Sequence, residues 1–152
     1  MYTTIYTEYP IAAAILGRAF SAAVGTPLAT IAVVESDEPG GAVDAWGDPD
    51  ITTALQCWTV PGEFPFAVEI LIKPPLSECE SEDLSVLRRV SAELHVPVVV
   101  PQELDRILAI FPDGTDLIVD EDPDAPGDVI ALKESSRRAF AERRVQTTPV
   151  PA

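Results

Sequence analysis

Two apolar stripes at helical spacing, each flanked by short runs of β-branched and aromatic residues, set the strongest limit on how this chain can fold. Residues 1–6 (MYTTIY) read as a first strand. Pro10 then opens a helix at a position where its missing N–H costs nothing. Ile11, Ile15, Leu16, Ala19, Phe20 and Ala23 form one stripe, and Gly25 and Pro27 end it. Residues 28–35 (LATIAVVE) read as a buried strand, and 55–60 and 66–73 as two more joined by the turn at Pro61-Gly62. A second helix begins at Ser77, which with Glu80 has the spacing of a capping box. Leu84, Leu87, Val90 and Leu94 supply its core face. Glu78, Glu80, Glu82 and Asp83 crowd the end where the helix dipole favours negative charge.

Residues 96–100 (VPVVV) predict a short strand, with Pro97 pointing to an edge or to the strand's first residues. Leu104, Ile107, Leu108 and Phe111 have helical spacing, but Pro112-Asp113-Gly114 is a turn between two apolar runs. The preferred reading is a hairpin of 106–111 against 115–119, preceded by a helical turn at 102–105. Residues 128–132 offer one more strand, and 134–144 a terminal helix whose exposed face is mainly arginine. The order predicts an α+β fold: a mixed or antiparallel sheet with two main helices packed on one side. A ferredoxin-like core with additional strands fits this order, and so does a larger sheet with the two helices packed together. With 152 residues the expectation is a single domain over 1–145 and a flexible tail over 146–152 (QTTPVPA).

Charge narrows the choice of partner. The net charge is −15, and residues 1–132 carry 23 acidic and 5 basic side chains against 2 and 5 in residues 133–152. Such a surface repels nucleic-acid phosphates and anionic lipid headgroups and speeds encounter with basic proteins. The expected partner is therefore a basic protein, with no nucleic acid and no membrane. Residues 11–20 are apolar, but Glu8 precedes them and Arg18 interrupts them, so they do not read as an export signal. No run reaches the length of a membrane span. Two cysteines, Cys57 and Cys79, are too few for a disulfide framework. These features together predict a cytoplasmic protein.

Motifs for catalysis or cofactors are sparse. His95 is the only histidine, and neither C-x-x-C nor H-x-x-x-H occurs. Cys57 lies in an apolar run beside Trp58, the setting of an inert core thiol, and Cys79 lies among carboxylates that suppress its thiolate. Phosphate-binding glycine loops and the serine elbow are missing. Asp120, Asp122 and Asp124 match the first three ligand positions of a calcium loop, but Ala125 and Ala131 stand where glycine and the closing glutamate belong. The reading is of a non-enzyme, with no cofactor, no metal site and no catalytic residue.

The acidic tracts read better as surfaces. Residues 35–50 hold three glycines, two prolines and six acidic residues around the single large apolar side chain, Trp46. Residues 113–128 give a second acidic run. An aromatic anchor ringed by steering charge is a common way to build a tight interface. The candidate partner-binding residues are therefore Asp44, Trp46, Asp48 and Asp50 in the first tract, and Asp120, Glu121, Asp122 and Asp124 in the second.

The α+β order, the loop carboxylates and the stretches LHVPVVVP, FPDGT and LIVDED together resemble the small acidic immunity proteins of bacterial polymorphic-toxin systems. That resemblance implies an inhibitor that blocks a basic toxin, a nuclease or nucleic-acid deaminase, with carboxylates standing in for phosphates. A non-inhibitory accessory module, or a small enzyme with a scattered carboxylate site, would carry the same composition.

Overall fold

A computed structural model describes residues 2–36, 47–74, 80–126 and 129–147. Strands β1 (Tyr2–Thr7), β2 (Ile31–Glu35), β3 (Thr53–Thr59), β4 (Phe66–Ile72), β5 (Val98–Pro101), β6 (Arg106–Ile110) and β7 (Asp116–Asp120) form one sheet. Its order is β2-β3-β4-β1-β5-β6-β7. Every neighbouring pair is antiparallel except β2 and β3, so the sheet is mixed. Helix α1 (Ala13–Val24) follows β1, α2 (Glu80–Leu94) joins β4 to β5, and α3 (Glu134–Thr147) follows β7. The inner order β3-β4-β1-β5, with a helix after β1 and another after β4, is that of a ferredoxin-like βαββαβ core. To this core β2 is added at one edge and the β6–β7 hairpin at the other.

Alternation along the strands sends one set of side chains to each face. Towards α1 and α2 point Ile5, Leu55, Val68, Ile70, Val98 and Ile110, which pack with Leu16, Phe20, Leu87 and Val90. The opposite face of the β5–β7 region carries a second cluster: Val99, Ile107, Ala109, Phe111 and Val119 pack with Phe64, Ile130, Leu132 and Phe140. Strand β6 therefore contributes to both clusters, Leu108 and Ile110 to one and Ile107 and Ala109 to the other. Two-sided burial explains its unbroken apolar run, whose spacing by itself also suited a helix.

Several sequence expectations shift in detail. Helix α1 begins at Ala13, three residues beyond Pro10, with Ala12 at its N-cap and no side-chain cap bond. Of its predicted stripe, Leu16, Ala19, Phe20 and Ala23 are buried, whereas Ile15 is among the exposed large apolar residues. Gly25 closes the helix in the left-handed conformation, its N–H donating to the Ser21 carbonyl at 2.9 Å. The segment 28–35 is not one buried strand: Leu28–Thr30 forms a 3-10 turn, and β2 is a half-buried edge strand. Residues 102–105 form a tight turn rather than a helical one. From 129 to 132 only isolated bridges form, Gly62 with Ile130 and Glu121 with Leu132, in place of the expected strand. The start of the second helix at Ser77, with its capping box, lies outside the described residues.

Helix α3 has no strong apolar stripe, and only Ser136, Phe140 and Thr147 on it are buried. Phe140 inserts between Phe64, edge-to-face at 5.4 Å, and Phe111 at 5.5 Å. Polar ties complete the docking. The Ser136 hydroxyl accepts the Asp120 N–H at 2.9 Å, Arg137 pairs with Glu63, and Arg144 pairs with Glu8. Two of the arginines expected on a solvent face, Arg137 and Arg144, thus tie the helix to segments next to the sheet. The helix runs to Thr147, two residues into the segment expected as a tail, and residues 148–152 lie outside the described ones. No described helix is long and apolar enough to cross a membrane.

Candidate functional site

Strand β7 is an edge of the sheet, and its side chains alternate between the second cluster and open surface. Leu117 and Val119 point inward; Asp116, Ile118 and Asp120 point to the other side, where Arg88 of α2 pairs with Asp116 at 2.8 Å. Ile118 is left 55% exposed.

The β5–β6 turn lies beside it, closed by the Gln102 N–H donating to the Arg106 carbonyl at 2.7 Å. Two consecutive turn residues, Leu104 (φ 60°) and Asp105 (φ 56°), occupy the left-handed region. Asparagine, aspartate and glycine tolerate that region; a leucine there is strained. Leu104 is also 86% exposed, so its side chain gains almost nothing from packing in the free chain. Leu104 and Ile118 line one shallow concavity of about 680 Å³ with Gln102, Glu103 and Arg106.

Carboxylates surround this apolar pair. Asp120 is the cross-strand partner of Arg106. The Glu121 N–H donates to the Asp105 carbonyl at 2.7 Å, and burial, then the nearby Asp105 charge, push the Glu121 carboxyl up from its ordinary value. Burial, then Glu121, likewise push the Tyr6 phenol up. Asp122 folds the chain back on itself: its carboxylate accepts the Asp124 N–H at 3.0 Å, and its own N–H donates to the Ala131 carbonyl at 2.8 Å. Asp120 and Asp124 are exposed, and Glu121 and Asp122 are half-buried. Among the described residues no group of three or more His, Cys, Asp or Glu is placed to hold a metal ion.

The first acidic tract is only partly described. Asp44 and Trp46, the proposed anchor, lie outside the described residues. Asp48 and Asp50 are exposed in the approach to β3, where the Asp48 carboxylate accepts the Asp50 N–H at 2.9 Å and the Asp48 carbonyl accepts from Lys73 Nζ at 2.8 Å. In the sheet order β3 and β7 are five strand spacings apart, roughly 24 Å along the sheet. The structure therefore keeps Asp48 and Asp50 together, and Asp120 to Asp124 together, without merging the two groups. Sequence reasoning missed Leu104 and Ile118. The signal for Leu104 was a lone leucine inside the polar tetrapeptide QELD; Ile118 carried none, since LIV reads as an ordinary core strand.

Burial, reinforced by Glu35, pushes the Cys57 thiol up to about 12, the state of an inert core thiol. Cys79 lies outside the described residues. His95 is exposed just after α2 with φ 57°, a conformation histidine adopts more readily than most residues. Comparison with family models, with characterised proteins and with solved structures finds no match to this chain.

Proposed function

We propose that this chain is an acidic protein-binding module acting as an inhibitor of the immunity-protein kind. It would bind and block a basic toxin, a nuclease or nucleic-acid deaminase. The observation that carries this reading is the exposed pair Leu104 and Ile118, set at a sheet edge among the carboxylates of Glu103, Asp105, Asp116 and Asp120. An apolar contact with a mainly acidic rim, which also holds Arg106 and the Arg88–Asp116 pair, suits a partner of opposite net charge: the apolar centre supplies affinity and the rim supplies steering. Leu104 strengthens the argument. The left-handed turn closes the β5–β6 hairpin, but a leucine there is strained and its exposed side chain gains almost nothing in the free fold; such strain concentrates where a chain meets its ligand.

The test is capture of partners from native lysate at low and moderate salt, with the wild-type chain and a Leu104→Lys/Ile118→Lys variant side by side. The expected result is one stoichiometric basic protein that the wild type retains and the variant loses, and whose enzymatic activity falls when the wild type is added back. Association should slow as salt rises, because steering is screened over about 8–10 Å at physiological ionic strength. A captured protein that keeps its full activity when bound would favour a non-inhibitory accessory role. Equal capture by both chains would remove the edge from the interface.

A further inference from the structure

Helix α3 is held to the body differently from α1 and α2. Helix α1 buries Leu16, Ala19, Phe20 and Ala23, and α2 places Leu87 and Val90 in the first cluster. Of the 14 residues of α3 only Ser136, Phe140 and Thr147 are buried, so one aromatic ring supplies most of its apolar anchorage. The remaining ties are polar. Arg137 pairs with Glu63, Arg144 pairs with Glu8, and Arg143 Nη1 donates to the Thr115 hydroxyl at 3.3 Å. The Arg137 and Arg144 side chains are 54% and 38% exposed, so dissolved salt screens both pairs. Long-range charge adds to them: α3 carries four arginines and two glutamates, against 23 acidic and 5 basic side chains in residues 1–132. The fit beneath the helix is incomplete. A groove of about 280 Å³ is lined by Glu8, Glu63 and Leu132 of the body and by Phe140, Ala141 and Arg144 of α3. Docking also leaves Glu8 Oε1 closed off from solvent without a hydrogen-bond partner, which is destabilising.

We propose that α3 is a charge-held strap: it opens as one unit while the sheet stays folded, and attraction between helix and body sets how often. Segments with few buried apolar contacts open at far lower cost than the whole fold. Opening uncovers the Phe64 and Phe111 rings, and with them the second apolar cluster, so the strap controls whether that face is presented. Helices α1 and α2 lie between strands of the sheet in chain order and fill the first cluster, so they open only with the sheet. The strap makes no use of Leu104 or Ile118 and stands or falls separately from the inhibitor reading.

The experiment is amide hydrogen exchange of the full chain, followed by nuclear magnetic resonance at about 0.1 M and about 1 M sodium chloride. Over that range the Debye length falls from about 10 Å to about 3 Å. Protection of the α3 amides should be lower than that of β4 and β6 at both concentrations. It should drop at least about threefold at the higher salt, because each exposed ion pair is worth up to about fivefold in an equilibrium. Protection of β4 and β6 should not drop with it. The double variant Arg137→Gln/Arg144→Gln removes both pairs and keeps side chains that favour a helix. Its α3 protection at about 0.1 M should fall about tenfold, and most of the salt response should go with it. The wild-type salt comparison needs no substitution, so the test holds even if the double variant fails to fold. Equal protection of α3, β4 and β6 would make the helix part of one cooperative unit. Protection of α3 unmoved by salt, or retained in the double variant, would show that packing rather than charge holds it. Any of these results would overturn the proposal.

Discussion

Replacing Leu104 by asparagine should make the free protein more stable, although it removes a large apolar side chain. The left-handed conformation costs a non-glycine residue about 1–2 kcal/mol, and asparagine avoids much of this by bonding locally with its short side chain. Against that gain stands the lost burial. A fully buried leucine is worth about 1.5–3 kcal/mol. Leu104 is 86% exposed, so the loss is about one-seventh of that, at most about 0.4 kcal/mol. The balance is a gain of about 1 kcal/mol, which for a chain of this size raises the thermal midpoint by roughly 2–4 °C. Calorimetry on the two purified chains measures this directly. Under the proposed function the same substitution should weaken partner binding, because it removes half of the exposed Leu104–Ile118 contact. A midpoint that falls would show that Leu104 supports the fold, and the argument linking its strain to binding would fail.

Four further outcomes follow from the geometry. Gly62 has φ 115°, and a Cβ placed there would lie 2.8 Å from a Val129 methyl and 2.9 Å from the Ile130 carbonyl, so Gly62→Ala should cost about 2 kcal/mol or more in urea unfolding; an unchanged midpoint would mean that residues 129–130 move aside freely. Phe140→Ala should cost about 3–5 kcal/mol and raise amide exchange through 134–147 before that of the sheet, since Phe140 is the main apolar anchor of α3; uniform loss of protection would instead make the helix part of one cooperative unit. Cys57 should resist iodoacetamide at pH 8, read on its own peptide by mass spectrometry, because its thiol is pushed up to about 12. Its folded value lies above the ordinary thiol value of 9.0, so the stability linked to it is complete below pH 9.0 and declines as pH rises towards about 12; Cys57→Ser should flatten that alkaline decline.

Much of the fold was legible along the chain. The α1 stripe, the β3–β4 pair around Pro61-Gly62 and the β6–β7 hairpin around Pro112-Asp113-Gly114 are local patterns: period, turn chemistry and apolar runs decide them within a few residues. The hairpin could be separated from a helix because a turn signal outweighs four residues at helical spacing. Misplaced boundaries share a cause. At residues 10–13 no polar cap marks where the helix starts, and at 28–31 an apolar run continues through a 3-10 turn, so packing sets both ends.

The candidate sites were far less legible. The carboxylates of 120–124 were visible as a charge run, and the structure keeps them together because Asp122 and Asp124 close a local turn. Leu104 and Ile118 share a surface only because β5, β6 and β7 pair in one particular register. Glu8 and Arg144, 136 residues apart, meet through the docking of α3, a helix whose sequence has almost no apolar stripe to announce where it packs.

By itself the sequence determined the α+β class, most of the elements that form and the acid character of the chain, because propensity, periodicity and charge are properties of neighbouring residues. Tertiary structure alone decided that β2 becomes an edge, that α3 covers the second face, and that a strained, exposed leucine comes to stand beside Ile118. Those outcomes depend on contacts between distant segments, whose selection rests on how whole faces pack, and no local pattern encodes that.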